Sequence, residues 1–515
     1  MPIYNTNSFW NYVAEEPENV VDTIKEILTR EYFNYDTGTS YKIEYFQELY
    51  KMNINGVNYS YLQFPAGLTS YILKTCSVLV ERCPKNFRFI PKTEILKVAD
   101  EVKAINPAFE VRDYQVSAVV TSVNRFASIV QSTVGSGKTS IMSLTAKLLK
   151  DKKIFITNGN NFILQQIYDR LSSFGETDVS WNCGGEPDYS KRIVIMNTSS
   201  SDSRLNRQDE AYLNFLKTVQ VWQIDECAHF QSLTNFEPIF YMDHERLEHI
   251  IGYTATPFRN YDNPYDNEQD FTLIALLGEP AFVYEMKDTI ADDNIAQPYG
   301  YFIRYKNYEP KLPNALKNNY YVQYKMNITY NKNRNRAGLE MIKFLDKNHI
   351  KTLAYVNNIK AGQNLMKTLK EEGVDSIFIC GDETIYEWIY SLKGKLKLEK
   401  RNGNVETVKE ALANGYDVVF GSSVMAEGVD ISTFQASVLL NAGKSFISLI
   451  QLIGRSSRKK ASNNISFAID FRDIGGSPIF ENQYNQRRKA MEDSGVVILD
   501  NVREFIDKIE SIGHK

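Results

Sequence analysis

In Ser132-Thr133-Val134-Gly135-Ser136-Gly137-Lys138-Thr139, a lysine and a hydroxyl follow two glycines spaced to turn backbone N–H groups toward a phosphate. A helix expected after Gly137 favours negative charge at the same place. Lys138 should reach the β- and γ-phosphates of a nucleoside triphosphate, with the Thr139 hydroxyl on Mg²⁺. Asp225-Glu226 closes the apolar run Val221-Trp222-Gln223-Ile224. Adjacent carboxylates at a strand end can hold Mg²⁺ through the aspartate and orient an attacking water through the glutamate. Far downstream, Gln451-Leu452-Ile453-Gly454-Arg455-Ser456-Ser457-Arg458 places two arginines one helical turn apart. ATP and Mg²⁺ are therefore the expected nucleotide and metal. An arginine completing the site from so distant a segment implies two lobes.

The elements that must carry these strings fall into two similar halves. Over 106–300, apolar strand candidates at 127–130, 153–157, 193–196, 219–224 and 250–254 alternate with helical patterns such as 140–149. That alternation predicts a parallel sheet covered on both faces. The pattern restarts over 331–515. Strands are expected at 352–356, 376–380, 418–421, 437–440 and 466–470, and helices at 336–345, 361–369, 405–413 and 446–453. Residues 301–330, rich in Asn, Lys and Tyr, are the expected connection. Residues 1–105 form an expected accessory module of α+β type that could bind DNA. It has helical spacing at 20–28 and 69–80, a strand at 57–64, and no catalytic constellation.

Composition narrows the class. A chain of 515 residues with 43% hydrophobic and 24% charged residues fits a soluble protein of roughly three domains. No apolar run approaches a membrane span, and the N-terminus shows no secretory signal. The five cysteines form no C-x-x-C pair, which argues against a zinc ribbon or disulfide framework and for a reducing cytoplasm. A net charge of −4 means that any polyanion would have to be held by local basic patches.

With these strings in this order, the chain resembles the superfamily 2 helicases of the DEAD/DEAH class. The resemblance implies two tandem RecA-like lobes and a nucleic-acid-stimulated ATPase. Arg112-Asp113-Tyr114-Gln115 is similar to the adenine-reading element, with Gln115 on the base and Tyr114 stacking. Thr133, Gly135, Ser136 and Gly137 belong to the phosphate loop. Asp225-Glu226-Cys227-Ala228-His229 resembles the Walker B motif, except that Ala228 stands where the family has His or Asp. The family's coupling role then passes to His229, or His229 is merely structural. Gly252-Tyr253-Thr254-Ala255-Thr256-Pro257 resembles the linkage motif, in which Thr254 and Thr256 couple ATP state to lobe movement.

In the second half, Ser422 resembles a backbone contact, and Gly428 with Asp430 resembles the ATP-facing part of the same motif. Gln451, Arg455 and Arg458 would serve the γ-phosphate, one arginine acting as the finger. Asn158, Gln166 and Thr198 occupy the family's nucleic-acid loops, with strand-end polar caps as the alternative. Between 381 and 405, aromatic residues and Lys395 and Lys397 could form a hairpin against nucleic acid or a solvated one. Within the superfamily the nearest resemblance is to UvsW-type phage recombination helicases, through Leu62-Gln63-Phe64-Pro65-Ala66-Gly67-Leu68 and Arg334-Asn335-Arg336. It implies a monomeric motor in the host cytoplasm that unwinds or branch-migrates forked or junction DNA. RNA unwinding, an ATP-gated clamp, or the motor subunit of a restriction assembly remain as alternatives.

Overall fold

The computed structural model describes residues 3–5, 10–13, 18–34, 39–54, 57–76, 89–181, 185–229, 233–259, 263–306, 319–380, 384–391, 394–402, 405–422, 434–441, 446–457, 464–474 and 478–513. The chain forms two compact units, Met1–Ser132 with Gly137–Tyr284 and Thr133–Ser136 with Glu285–Lys515.

The first unit opens with six strands, β1 (Ile3–Asn5), β2 (Trp10–Val13), β3 (Thr29–Asn34), β4 (Thr39–Glu44), β5 (Gln47–Ile54) and β6 (Val57–Pro65). They make an antiparallel sheet of order β1-β2-β6-β5 and a separate β3–β4 hairpin. The helix Glu18–Leu28 buries Val21, Ile24 and Leu28, one stripe at helical spacing. These residues, with Leu62, Phe64, Leu68 and Ile72, share one apolar cluster with Phe271, Leu273 and Ile274 of the helix Glu268–Leu277. The N-terminal module, expected to stand apart, therefore shares its core with the remainder of the first unit. Gly67 explains how closely the two meet. A Cβ there would lie 2.1 Å from the Ile274 carbonyl oxygen and 2.6 Å from that of Ala275.

The rest of the first unit is a seven-stranded parallel sheet. Its strands are β7 (Ala127–Ser132), β8 (Ile154–Asn158), β9 (Val179–Ser180), β10 (Ile193–Asn197), β11 (Val221–Asp225), β12 (His249–Thr254) and β13 (Pro280–Tyr284). Their order is β13-β7-β12-β11-β8-β10-β9. β8, β11 and β12 are buried along their whole length, as expected of strands covered on both faces. All are parallel, so every strand delivers its C-terminal residue to one edge.

The second unit has nine strands, β14 (Gln297–Lys306), β15 (Thr352–Tyr355), β16 (Ser376–Cys380), β17 (Thr384–Tyr390), β18 (Leu396–Asn402), β19 (Val418–Gly421), β20 (Ala436–Leu439), β21 (Ile465–Ile474) and β22 (Val497–Ile498). They follow the order β18-β17-β16-β19-β15-β20-β21-β14-β22, parallel except for the antiparallel β16–β17–β18 meander. Residues 301–306, expected in a connection, instead lie in β14, which pairs with β21 over its full length. Phe302, Ile303 and Tyr305 are buried there, so both faces of the strand are covered despite its tyrosines and lysine. No helix among the described residues is long and apolar enough to cross a membrane.

Candidate functional site

Four adjacent strands of the first sheet, β7, β12, β11 and β8, end at one edge in Ser132, Thr254, Asp225 and Asn158. The sheet topology thus brings together strings that the sequence separates. β7 leads into the glycine loop, where Gly135 and Gly137 both have φ of 84°, a left-handed backbone that a side chain would strain. The Ser136 N–H and hydroxyl both donate to the Thr133 carbonyl, at 3.2 and 2.6 Å, which tightens the loop. The helix Lys138–Leu148 starts at once, so its unpaired N–H groups and positive end face the loop. Lys138 Nζ donates to the Ser132 carbonyl at 3.2 Å and stands 3.8 Å from Glu226 Oε1.

Glu226 has φ of 48°, a left-handed conformation rare for a residue with a long side chain. This turn swings its carboxylate off the β11 axis toward Lys138. The Thr254 hydroxyl donates to Glu226 Oε2 at 3.4 Å, and the Thr256 N–H donates to Thr254 Oγ1 at 3.3 Å. The linkage string therefore touches the water-orienting candidate directly. Asp225, at the strand end itself, is buried. Burial pushes its carboxyl well above the usual carboxylate range, the Glu226 charge pushes it further, and Lys138 opposes both.

These residues fit a magnesium nucleotide. Asp225 is a buried carboxylate whose charge a divalent cation would restore. The Thr133 hydroxyl is buried without a hydrogen-bond partner among the described residues, and so is that of Thr256. No cluster of three or more His, Cys, Asp or Glu occurs among the described residues. Mg²⁺ bound by one or two protein oxygens together with substrate phosphates needs no such cluster. Thr139 is half-buried in the first turn of the helix, as that role requires.

The adenine-reading string starts the helix Asp113–Val123. Gln115 is buried and its Oε1 accepts from the Arg112 N–H at 3.1 Å, while its Nε2 lies 2.6 Å from where a Gly137 Cβ would be. Gln115 thus abuts the glycine loop. Tyr114 is hydrogen-bonded by the Arg112 guanidinium at 3.0 Å and stacks on Tyr284, ring centroids 3.9 Å apart. Sequence reasoning misses Tyr284, because an isolated tyrosine at a strand end carries no signal. Ala228 is buried and His229 is exposed, its N–H donating to the Glu226 carbonyl at 2.9 Å.

Asn158, expected at nucleic acid, is instead buried beside Asp225, to which its amide donates at 3.2 Å. Its place comes from the β8–β11 register, which sets Thr157 opposite Ile224 and so the two next residues side by side. Thr198, which follows β10 and starts the helix Thr198–Asn206, is half-buried, as is Gln166 in the second turn of the helix Asn161–Ser173.

In the second unit, Gln451 is buried in the helix Phe446–Ser456, which also carries Arg455. That helix is fastened at two points. Ser437 of β20 donates to the Leu452 carbonyl at 3.1 Å, and the Ser457 and Ser466 hydroxyls meet at 2.9 Å. Ser422 is buried just after β19. Gly428, Asp430 and Arg458 lie outside the described residues. The basic hairpin is β17–β18, at the edge of the sheet. Its aromatic side is held down, with Trp388 Nε1 donating to the Gln363 carbonyl at 2.8 Å. Lys395 sits in the turn, its N–H accepted by the Ser391 hydroxyl at 3.2 Å, and Lys397 pairs with Glu399 at 3.7 Å.

Two family profiles match the chain, "Type III restriction enzyme, res subunit" over residues 108–259 and "Helicase conserved C-terminal domain" over residues 336–460. A protein bearing the name helicase 22, from Sulfolobus islandicus filamentous virus (isolate Iceland/Hveragerdi), is 25% identical over 417 residues. The match covers 73% of this chain and 68% of that protein. Among solved structures, S. cerevisiae Dbp5 bound to RNA and ADP BeF3 is similar with a TM-score of 0.51 at 14% identity, over 81% of this chain and 97% of that one. T4 UvsW gives a TM-score of 0.43 at 16% identity over 97% of this chain and 99% of its own. At 14% identity the likeness to Dbp5 speaks for the fold alone, two RecA-like lobes built on parallel sheets.

Proposed function

Because the chain belongs to superfamily 2 of the helicases, with profiles matched in both halves, we propose that it is an ATP-driven DNA translocase that unwinds or branch-migrates forked or junction DNA. That it is a nucleic-acid-dependent motor follows from the family; the DNA substrate and the junction are the proposal. The observation that carries the chemistry is the meeting of Lys138, Glu226 and Thr254 at one sheet edge. Glu226 orients water and takes its proton, and Lys138 offsets charge on the phosphates. Mg²⁺, held by Asp225 and Thr139, supplies charge neutralisation between the phosphates when bound. Thr254, bonded to Glu226, senses the state of that carboxylate and relays it along the linkage string. Arg455 and Arg458 act on the γ-phosphate, assisted by Gln451, and Gly428 and Asp430 contact the nucleotide. Ser422, Gln166, Thr198, Lys395 and Lys397 contact nucleic acid, and the N-terminal module adds to that grip.

The test is the ATPase rate with single-stranded DNA, forked DNA and RNA, beside Lys138→Ala and Glu226→Gln. Stimulation by DNA and fork processing, both abolished in the two variants, is expected. Stimulation by RNA alone would make the chain an RNA helicase, and no stimulation by any nucleic acid would sink the motor reading. The restriction-subunit profile over 108–259 favours a second reading, a motor subunit. On that reading the purified chain would hydrolyse ATP yet move on DNA only with a partner.

A further inference from the structure

The Walker B string carries Ala228 where the family has the His or Asp that couples hydrolysis to nucleic acid, and the next residue, His229, is exposed. On the neighbouring strand, a different side chain bonds the Asp225 carboxylate. Asn158 Nδ2 donates to Asp225 Oδ2 at 3.2 Å and to the Asp225 carbonyl at 3.3 Å. Its Oδ1 accepts from the Asn160 N–H at 2.6 Å. A donor toward Asp225 and an acceptor toward Asn160 are both needed, and the amide of Asn158 offers the two. A carboxylate would set a like charge against Asp225, and an apolar side chain would leave a buried carboxylate one donor short.

The contacts continue outward from Asn160. Asn197, which ends β10 opposite Asn158 in the register, donates to the Gly159 carbonyl at 3.0 Å and to Asn161 Oδ1 at 2.8 Å. The same side chain accepts the Ser199 N–H at 2.9 Å and so caps the helix Thr198–Asn206. One unbroken set of hydrogen bonds therefore joins the Mg²⁺-binding carboxylate to the loops at 159–161 and 197–199. Thr198 lies within the second of these segments, and Gln166 in the helix that begins at the end of the first.

We propose that Asn158 is a positioning residue that couples the nucleotide site to the nucleic-acid loops, with Asn197 as its second link. The coupling runs sideways through the ends of β11, β8 and β10. The inference rests on the nucleic-acid reading of these loops under the proposed function.

The test is a coupling measurement on the full chain. The affinity for oligo(dT) is measured without nucleotide and with magnesium and a non-hydrolysable ATP analogue, and the ratio of the two dissociation constants is taken. A misfolded fraction lowers the amount of binding protein but leaves this ratio unchanged, so the readout separates coupling from folding. Wild type should show a ratio of at least ~5-fold, within the usual range of coupling. Asn158→Ala and Asn197→Ala should each bring it near unity. The Asn197 variant alters a half-buried residue remote from the carboxylate, so it stays informative where Asn158→Ala folds poorly. A wild-type ratio in either variant overturns the proposal. Failure of wild type to bind oligo(dT) or the matching oligo(U) counts against the motor reading instead.

Discussion

Replacing Gly67 by alanine adds one methyl group where two backbone segments of the first unit meet closely. An ideal Cβ would stand 2.1 Å from the Ile274 carbonyl oxygen, 2.6 Å from that of Ala275 and 2.7 Å from the Gly278 nitrogen. All three are backbone atoms, and the Gly278 N–H is committed to the Ile274 carbonyl at 2.7 Å, so none can swing aside as a side chain would. Ordinary contact starts near 3.4 Å, so the turn must withdraw by about 1.3 Å (3.4 minus 2.1). A radial gap of even about 0.5–1 Å forfeits roughly a quarter to a half of the dispersion well, so the atoms behind this one lose at least that fraction. Those atoms belong to Leu62, Phe64, Leu68 and Ile72, all buried. At ~1.5–3 kcal/mol for each buried side chain, the loss comes to about 3 kcal/mol. Gly67 is not among the residues with positive φ, so backbone strain contributes nothing to this figure. Urea unfolding followed by circular dichroism would measure it, with Ser70→Ala on the exposed side of the next helix as the control, expected within ~0.5 kcal/mol of wild type. A Gly67→Ala chain within about 1 kcal/mol of that control would refute the close packing of the module.

Other outcomes concern buried charge and the proposed finger. Asp225→Asn should raise the melting temperature at pH 8 while abolishing hydrolysis. The folded-state pKa of Asp225 is raised, so its stabilising contribution is present below the unfolded value near 4 and is lost as pH rises through the folded one. The gain from the asparagine should therefore vanish by about pH 4, and an equal gain at both pH values would contradict the assignment. Arg487→Ala breaks a buried pair, Nε to Asp470 Oδ2 at 2.6 Å, and should destabilise the second unit by ~3–5 kcal/mol. Adding Asp470→Leu should recover part of that loss, and no recovery in urea unfolding would mean that the charge was not the cause. Arg458→Ala should retain ATP binding but lose ~10³-fold or more in nucleic-acid-stimulated turnover. Weakened nucleotide affinity with turnover intact would remove the finger from this residue.

Much of the site is legible in the residues because its chemistry is local. The glycine loop, the Asp-Glu strand end and the linkage string each state their role within a few positions. Parallel pairing then brings them to one edge. What the sequence hides are roles that exist only across strands. Asn158 reads as a nucleic-acid contact or a strand-end cap until the β8–β11 register sets it beside Asp225. Tyr284 acquires meaning only through its stacking on Tyr114. β14 is concealed for another reason. Its tyrosines, glycine and lysine mimic connection chemistry, while its backbone is paired with β21 on one side and β22 on the other. Arg334 shows the reverse case. Its string stands out as a family likeness, yet the side chain is fully buried, paired with Asp473 at 3.3 Å and bonded to the Asn441 carbonyl at 3.0 Å. It ties the start of the helix Lys332–Lys347 to the ends of β20 and β21.

The helix Glu268–Leu277 is buried without interruption from Asp270 to Leu277, although a helix on the outside of a lobe would normally keep one wet face. Leu277 packs toward Gly252 of β12. From the N-terminal module, Tyr45 packs edge-on to Phe271, and the hydroxyls of Tyr45 and Thr272 meet at 2.8 Å. Neither side is solvent. The ATPase lobe is therefore not a minimal, separable engine. A chain begun at residue 106 would bare an apolar helix of the kind that drives self-association. The Asp270 carboxylate that receives the Arg259 N–H at 2.9 Å, just past the linkage string, would lose its shelter with it. Accessory module and first lobe are in this sense one folding unit.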